Sequence, residues 1–339
     1  MKKEKISIIL PVYNSQNTVA KTIDSVIRQN YDNYELIIIN DGSTDNSESI
    51  CMEYATKYKE INYIKIENNG VSNARNLGMD SATGNYIMFI DSDDEYYENT
   101  LETIYKYIEQ ENDLIVFGYN RIHVHKNKTK EMDTNITYLK NGEEKNIFIE
   151  KMQRAYLFNQ IWNKVYKTKI LKDNNIKFDT KIASGEDYRF NLQYIDCINN
   201  AIYISKILYN YYSTDTGLSL KTGPEKLYVK LENLKQQKLL YNKYGYDIKY
   251  IDNNYIYTCF SGLTAMVEKQ SIRRKREYIK KYIQNQEIRE ELINIKKRQK
   301  GIKTKIYINF LLIKNIFMLQ FFSEILICIR KIYRKIRLG

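Results

Sequence analysis

Apolar residues in the first hundred positions come in short runs closed by polar turns. Ile6-Ser7-Ile8-Ile9-Leu10, Tyr34 to Ile39 and Tyr86 to Ile90 read as buried strands, and "INYIKIE" (61–67) alternates like another. Between them, Asn17 to Gln29 has helical spacing, with Val19, Ile23, Val26 and Ile27 on one side. Ser43, Thr44, Asp45 and Asn46 supply turn and capping groups before a second helix, Ser47 to Tyr58, and Ser72 to Ala82 predicts a third. Strands alternating with helices predict an α/β fold: a mainly parallel sheet with helices on both faces. Ligands of such sheets bind in the crevice at the carboxyl ends of the strands. Pro11-Val12-Tyr13-Asn14, Asp41-Gly42-Ser43, Asn68-Asn69-Gly70 and Asp91-Ser92-Asp93-Asp94 all fall there, so four polar turns converge on one rim.

The second half is less regular. Leu114 to Tyr119 predicts a strand followed by hairpin-like polar sequence to about residue 140. "IWNKVYKTKIL" (161–171) precedes a loop, "SGEDYRFNLQYI" (184–195) reads as a loop entering a helix, and "AIYISKILYNYYS" (201–213) is strand-like. From about 224 to 300 the pattern is helical and highly charged. These shifts divide the chain into 1–105 and 106–223, two parts of one α/β domain; 224–300, a charged helical region; and 301–339, a basic amphipathic tail.

Composition adds two constraints. The net charge of +12 is concentrated at one end: +11 lies in residues 296–339 and +4 in 269–295, which leaves −3 on residues 1–268. The basicity therefore gives the main domain no claim on nucleic acid. Cys51, Cys197, Cys259 and Cys328 are far apart and form no CxxC pair, which fits a reducing compartment. The apolar run before Pro11 is too short for a signal peptide, so a cytoplasmic location is expected.

The candidate chemistry begins with "DSDD". Like charges packed at a strand end need either water or a cation. Hard carboxylate oxygens suit Mg²⁺ or Mn²⁺, which take one or two carboxylates and complete their shell with substrate phosphates; a solvated acidic turn is the plain alternative. No GxxxxGK loop occurs, and no GxGxxG follows the first strand, so the usual P-loop and dinucleotide signatures are missing. His123 and His125 alternate as on a strand face, and without a third ligand they read as a surface hairpin.

The order "SIILPVYN…NDGSTD…ENNGVSNARNLGMDSATGNYIMFIDSDD" resembles family 2 of the inverting glycosyltransferases, which have the GT-A fold. The resemblance is strong over residues 5–100 and continues more loosely through "WNKVYK" and "GED" to about residue 220. A sugar-phosphate nucleotidyltransferase would instead carry a Gly-rich, Arg/Lys-bearing loop after the first strand, absent from "PVYNSQNT". The resemblance implies a UDP-sugar donor, Mn²⁺ or Mg²⁺, and a glycan or lipid-linked acceptor of a bacterial surface polymer such as a capsule. By position it places Pro11, Val12 and Tyr13 at the base pocket and Asp41 on the uracil imide. Asn68, Arg75, Asp91 and Ser92 come near the nucleotide, and Asp93 with Asp91 at the metal. Asp94 is expected to be structural or behind the ligands. It also implies that Asp187, with Glu186 as runner-up, is the base that deprotonates the acceptor. Trp162 either floors the acceptor site or packs in the core. Tyr212 and Ser219 resemble a segment that folds back over the donor. A catalytically silent sugar-nucleotide-binding scaffold is the alternative from another class.

The tail, "KTKIYINFLLIKNIFMLQFFSEILICIRKIYRKIR" (303–337), is apolar but interrupted by Lys314, Asn315, Gln320, Ser323 and Glu324. On a helical wheel Asn309, Gln320, Ser323, Glu324, Arg330, Lys331, Arg334 and Lys335 share one face, opposite a wide Ile/Leu/Phe face. That pattern predicts a helix lying in the interface of an anionic membrane, peripheral on its inner face, rather than one spanning it. Packing on the protein itself, or an oligomer contact, are the other readings. Nothing in the chain sets an oligomeric state.

Overall fold

The computed structural model describes residues 3–124, 128–135, 137–182, 184–213, 224–268, 270–325 and 327. The chain forms two compact units, 1–217 and 218–339.

The first unit is built on one sheet. In chain order its elements are β1 (Ile6–Val12), α1 (Val19–Ile27), β2 (Tyr34–Asp41), α2 (Ser47–Lys57), β3 (Ile61–Ile66), α3 (Val71–Ser81), β4 (Tyr86–Phe89), β5 (Glu95–Tyr96) and α4 (Thr100–Ile108). There follow β6 (Leu114–His123), β7 (Lys128–Met132), β8 (Thr137–Leu139), α5 (Lys145–Arg154), β9 (Lys164–Lys167), α6 (Thr168–Asp173), α7 (Glu186–Cys197) and β10 (Ala201–Ser213). The strand order is β3-β2-β1-β4-β9-β6-β10-β5, with β7 on β6 and β8 on β10. The strands β3, β2, β1 and β4 run parallel, as the alternating pattern requires. β9 is antiparallel to both β4 and β6, so the sheet is mixed at its centre.

β1 and β2 are apolar on both faces because both faces are covered, and Ile8, Ile9, Ile37 and Ile38 are completely buried. α3 comes closest to the sheet at Gly78, where a Cβ would stand 2.4 Å from the Cγ2 of Ile9. A side chain there would lift the helix off β1. β4 ends at Phe89, and the chain then leaves the sheet into the acidic turn, which closes with Asp94 N–H donating to the Asp91 carbonyl at 3.1 Å.

The second unit is helical among its described residues: α8 (Pro224–Lys243), α9 (Lys249–Val267), α10 (Ile272–Gln284), α11 (Gln286–Arg298) and α12 (Ile302–Leu311), then helical residues 316–325. The single tail helix expected over 303–337 is therefore interrupted at 312–315. Asn315 causes the break: its side chain accepts from the Met318 N–H at 3.0 Å, a cap that starts a new helix. Ile308, Leu311 and Leu319 are fully buried, so part of the tail's apolar surface packs on protein. Polar residues of its last segment pair with α10, Glu324 with Lys275 at 3.2 Å and Gln320 with Arg276 at 3.5 Å. Arg330, Lys331, Arg334, Lys335, His125 and Ser219 lie outside the described residues.

Candidate active site

The four rim turns meet as the alternation predicted, and hydrogen bonds through side chains lace them together. After β1, Asn14 N–H donates to Ser43 Oγ at 3.1 Å, and the Asn14 side chain accepts from Thr44 N–H at 2.8 Å. This holds Tyr13 outward, half exposed, while Pro11 and Val12 are buried in the strand beneath it. Tyr13 is thus the member of that trio offering aromatic surface to a ligand. Asp41, at the end of β2, is buried and accepts Asn69 N–H at 2.8 Å and Gly70 N–H at 3.0 Å. It fixes the turn that starts α3. Gly42 turns the chain at φ +69°, and a Cβ there would sit 2.7 Å from the Asn68 nitrogen. Asn68 itself is exposed on the rim.

The centre of the site is Arg75. It projects from α3, is buried, and lies over the Phe178 ring with its guanidinium carbon 5.5 Å from the ring centroid. One terminal nitrogen donates to Asp91 at 3.0 Å. The other donates to Asp187 at 2.9 Å and stands 3.5 Å from Glu186. Carboxylates from the turn after β4 and from the first turn of α7, far apart in sequence, are thereby held by one cation. Burial works against a charge on Arg75, but Asp187, Asp91 and Glu186 outweigh it and raise its pKa. Burial pushes the Asp187 carboxyl up to about 7, with Glu186 and Asp91 adding to the rise and Arg75 opposing it. The N-terminus of α7 also favours the anionic form of both acids.

The acidic turn separates into different roles. Asp91 stays partly open and bonds Arg75. Ser92 Oγ meets Ser15 Oγ at 2.7 Å, tying the turn to the loop after β1. Asp93 is exposed on the rim yet crowded by protein around its carboxyl. That desolvation, and then the charge of Asp91, push it up to about 6. Asp94 is fully buried: it accepts Tyr209 Oη at 2.8 Å and Tyr212 N–H at 2.9 Å, pinning the end of β10. Burial, then Asp93 and Asp91, raise its pKa well above the carboxylate range. Among the described residues no three Asp, Glu, His or Cys side chains converge into a complete metal cage. Asp91 and Asp93 nevertheless fit a hard divalent cation that draws its remaining ligands from phosphate oxygens and water, because their mutual repulsion is what such a cation relieves.

Trp162 is packed rather than open. It is 4% exposed, stacks on Tyr209 and Tyr211 at 4.4 and 5.4 Å, and meets Tyr119 edge-on at 4.6 Å. Its aromatic surface is used inside the fold, which leaves little for an acceptor sugar. Tyr212 lies where β10 ends, with Lys21 Nζ 4.6 Å from its ring centroid. His123 Nδ1 meets Ser213 Oγ at 2.9 Å between two strands, a structural contact.

Two residues escaped sequence reasoning. Tyr209 bonds Asp94 and also accepts Asp91 N–H at 3.2 Å, so it braces the acidic turn from behind; one tyrosine among 32 gave no signal. Lys164, in "WNKVYK", is buried with three oxygen acceptors: the carbonyls of Leu157 at 2.7 Å and Gln160, and Asn163 Oδ1 at 2.8 Å. Burial lowers its pKa and Asp187 opposes that, while three acceptors match the three N–H groups of an ammonium.

Comparison with known proteins agrees with this geometry. The family model described as Glycosyl transferase family 2 matches residues 7–176, half of the chain. The glycosyltransferase GlyA of Streptococcus pneumoniae is 31% identical over 252 residues, 73% of this chain and 36% of GlyA. The minor teichoic acid biosynthesis protein GgaB of Bacillus subtilis is 35% identical over 184 residues, 53% of this chain and 20% of GgaB. The chain thus spans only about a third or less of these two relatives. Among solved structures, S. aureus TarS 1–349 in complex with UDP-GlcNAc matches with a TM-score of 0.69 at 19% identity, covering 94% of this chain and 90% of that one. The fold is GT-A with a C-terminal helical region, and the chain belongs to glycosyl transferase family 2.

Proposed function

We propose that this chain is an inverting glycosyltransferase that moves a sugar from a UDP-sugar to a hydroxyl of a glycan or lipid-linked acceptor in bacterial cell-surface polysaccharide synthesis. The observation that carries the reading is the buried Arg75 joining Asp91, on the donor side, to Asp187, the base. Tyr13 and Asp41 line the nucleotide end, with Asn68 and Ser92 on the rim. Support for UDP comes from the fold shared with TarS, which binds UDP-GlcNAc; support for a surface polymer comes from GgaB.

The residues suggest a single displacement. The bond from the anomeric carbon to the diphosphate breaks, its electron pair leaving with UDP. The acceptor oxygen forms the new bond from the opposite face, and its proton passes to a carboxylate oxygen of Asp187. A carboxyl held near 7 is poised for this, ionised enough to accept a proton at neutral pH and basic enough to hold it. Arg75 orients Asp187 and keeps its anion from being expelled by Glu186. Asp91 and Asp93 would hold Mg²⁺ or Mn²⁺, which when bound neutralises the charge developing on the diphosphate.

Screening UDP-sugars for UDP release in the presence of Mn²⁺ tests the reading. Turnover with at least one donor, lost in Asp187→Asn, is expected. UDP binding without turnover for any donor and acceptor would leave the silent-scaffold reading.

The tail extends the proposal to the inner face of the plasma membrane. Phe317, Met318, Phe321 and Ile325 are exposed along one side of the last helical segment, whose polar residues are occupied by basic α10. Aromatic and aliphatic side chains bordered by Lys314 and the arginines of α10 suit an anionic lipid surface. No helix among the described residues is long and apolar enough to cross a membrane.

A further inference from the structure

β9 carries a buried cation, Lys164, beside the helix that bears the proposed base. Side chains two apart on a strand share a face, so Lys164 and Tyr166 look the same way, onto α7. The contacts fix the direction. Lys167 N–H donates to Tyr194 Oη at 2.7 Å, and Tyr166 Oη donates to Asn191 Oδ1 at 2.6 Å. Moving back along β9 thus moves along α7 from Tyr194 to Asn191, toward its first turn. Asp187 stands one turn before Asn191 on the same side of that helix. Lys164 and Asn191 meet on one oxygen: the Gln160 carbonyl accepts both Lys164 Nζ and Asn191 Nδ2, the latter at 3.0 Å.

Lys164 is 1% exposed, and its acceptors are all neutral oxygens; no carboxylate lies within ion-pair reach of it among the described residues. Burying an unpaired charge is costly, and pinning a loop does not require one. Neutral amides already pin it. Asn163 Nδ2 donates to the Phe117 and Leu157 carbonyls at 3.1 and 3.2 Å, and Asn191 Nδ2 to the Phe158 carbonyl at 2.7 Å. Three acceptors nevertheless call for three N–H groups, which an ammonium has and a neutral amine lacks. The acid whose charge reaches this ammonium is Asp187. Around Asp187 stand Arg75 from α3, Asp91 from the turn after β4, Glu186 from its own helix, and Lys164 and the Tyr166 hydroxyl from β9.

We propose that Lys164 is a positioning residue for the base: its ammonium anchors the chain 157–163 against α7 and adds a second positive charge, besides Arg75, that favours the Asp187 carboxylate. The two cations act differently. Arg75 donates directly to one Asp187 oxygen at 2.9 Å. Lys164 touches neither oxygen, so it stabilises the anion without competing for the atom that must take the acceptor's proton. The role of Asp187 as base rests on the transferase reading; the interaction of the two charges does not.

Lys164→Gln removes the charge and keeps N–H donors for the carbonyls. Without a nearby cation the carboxylate is disfavoured, so the ascending limb of kcat/KM should move to higher pH by about half a unit or more. Lys164→Arg keeps the charge and should hold the limb at its native position. A loop that has merely lost a pin would lower turnover equally at every pH. An unmoved limb in Lys164→Gln, or an equal shift in Lys164→Arg, would therefore overturn the proposal. Failure of both variants to unfold cooperatively on heating would assign Lys164 to stability alone and overturn it too. Carbon NMR of the aspartate carboxyls reads the same shift in the full chain without substrate, with Asp187→Asn identifying the signal. A chain that transfers no sugar but shows the Asp187 titration displaced in Lys164→Gln would sink the transferase reading and leave the interaction of the two charges in place.

Discussion

At the scale of single residues the site is an electrostatic balance around one guanidinium. Asp187→Asn keeps the shape of the base but cannot take a proton, so turnover should fall roughly a hundredfold or more while UDP affinity, by calorimetry, stays near wild type. If Glu186→Gln is the crippled variant and Asp187→Asn is active, the base is the neighbouring residue. The raised pKa of Asp187 also sets a direction with pH. The protonated carboxyl cannot act as base, so kcat/KM should rise with pH through about 7 and level off above it. An ascending limb confined to the ordinary carboxylate range, near 4, would contradict the placement. Arg75→Met removes the common partner of three acids. Breaking a buried charge cluster in this way costs about 3–5 kcal/mol, and urea unfolding measures it; a loss under 1 kcal/mol would mean the cluster is not held as described. The sequence placed Arg75 near the nucleotide but could not show whom it pairs with, because Asp187 lies 112 residues further along. The family resemblance sets Asp94 apart from the other aspartates of "DSDD" as structural, but the residues themselves do not show what holds it. Their spacing is the same whether buried or open, and what buries Asp94 is Tyr209, 115 residues away.

At the scale of elements, periodicity read the parallel half well, since β1, β2 and β4 are apolar on both faces and their helices carry one apolar side. It missed the insertion of β9. "KVYK" is four residues with lysines at both ends, and Lys164 lies inside the sheet with its ammonium on the Leu157 carbonyl. It also overran the tail, where apolar residues flank Asn315 so evenly that the cap is invisible in the pattern. Two expectations belong here. Gly78→Ala puts a methyl against Ile9 and should push α3, and Arg75 with it, off β1. The cost should be about 1–3 kcal/mol, as for overpacking in general, with a loss of turnover larger than the loss of UDP affinity; unchanged thermal unfolding would show that the helix can give way. For the tail, deletion is a poor probe because it would remove the buried Ile308, Leu311 and Leu319. Phe317→Glu/Phe321→Glu alters only exposed positions. It should leave folding and UDP release intact and abolish flotation with anionic vesicles; a variant that still floats would assign the exposed face to another contact.

At the scale of the whole molecule, charge and family membership point the same way. Residues 1–268 carry −3, and Asp91 and Asp93 stand at the rim where a diphosphate would lie. On the proposed reading a divalent cation bridges the anionic donor to these carboxylates, so UDP affinity should fall at least tenfold in EDTA and recover with Mn²⁺; equal binding in EDTA would remove the metal from the account. The resemblance legible in the first hundred residues is matched by the family model over 7–176. The central claim is a single displacement at the anomeric carbon with Asp187 as base. Its most direct measurement is a real-time proton NMR record of an α-linked UDP-sugar turned over by the chain with Mn²⁺, to acceptor or to water. The account predicts that the β-anomer forms first, and that Asp187→Asn forms it at least a hundredfold more slowly. Initial release of the α-anomer would contradict it.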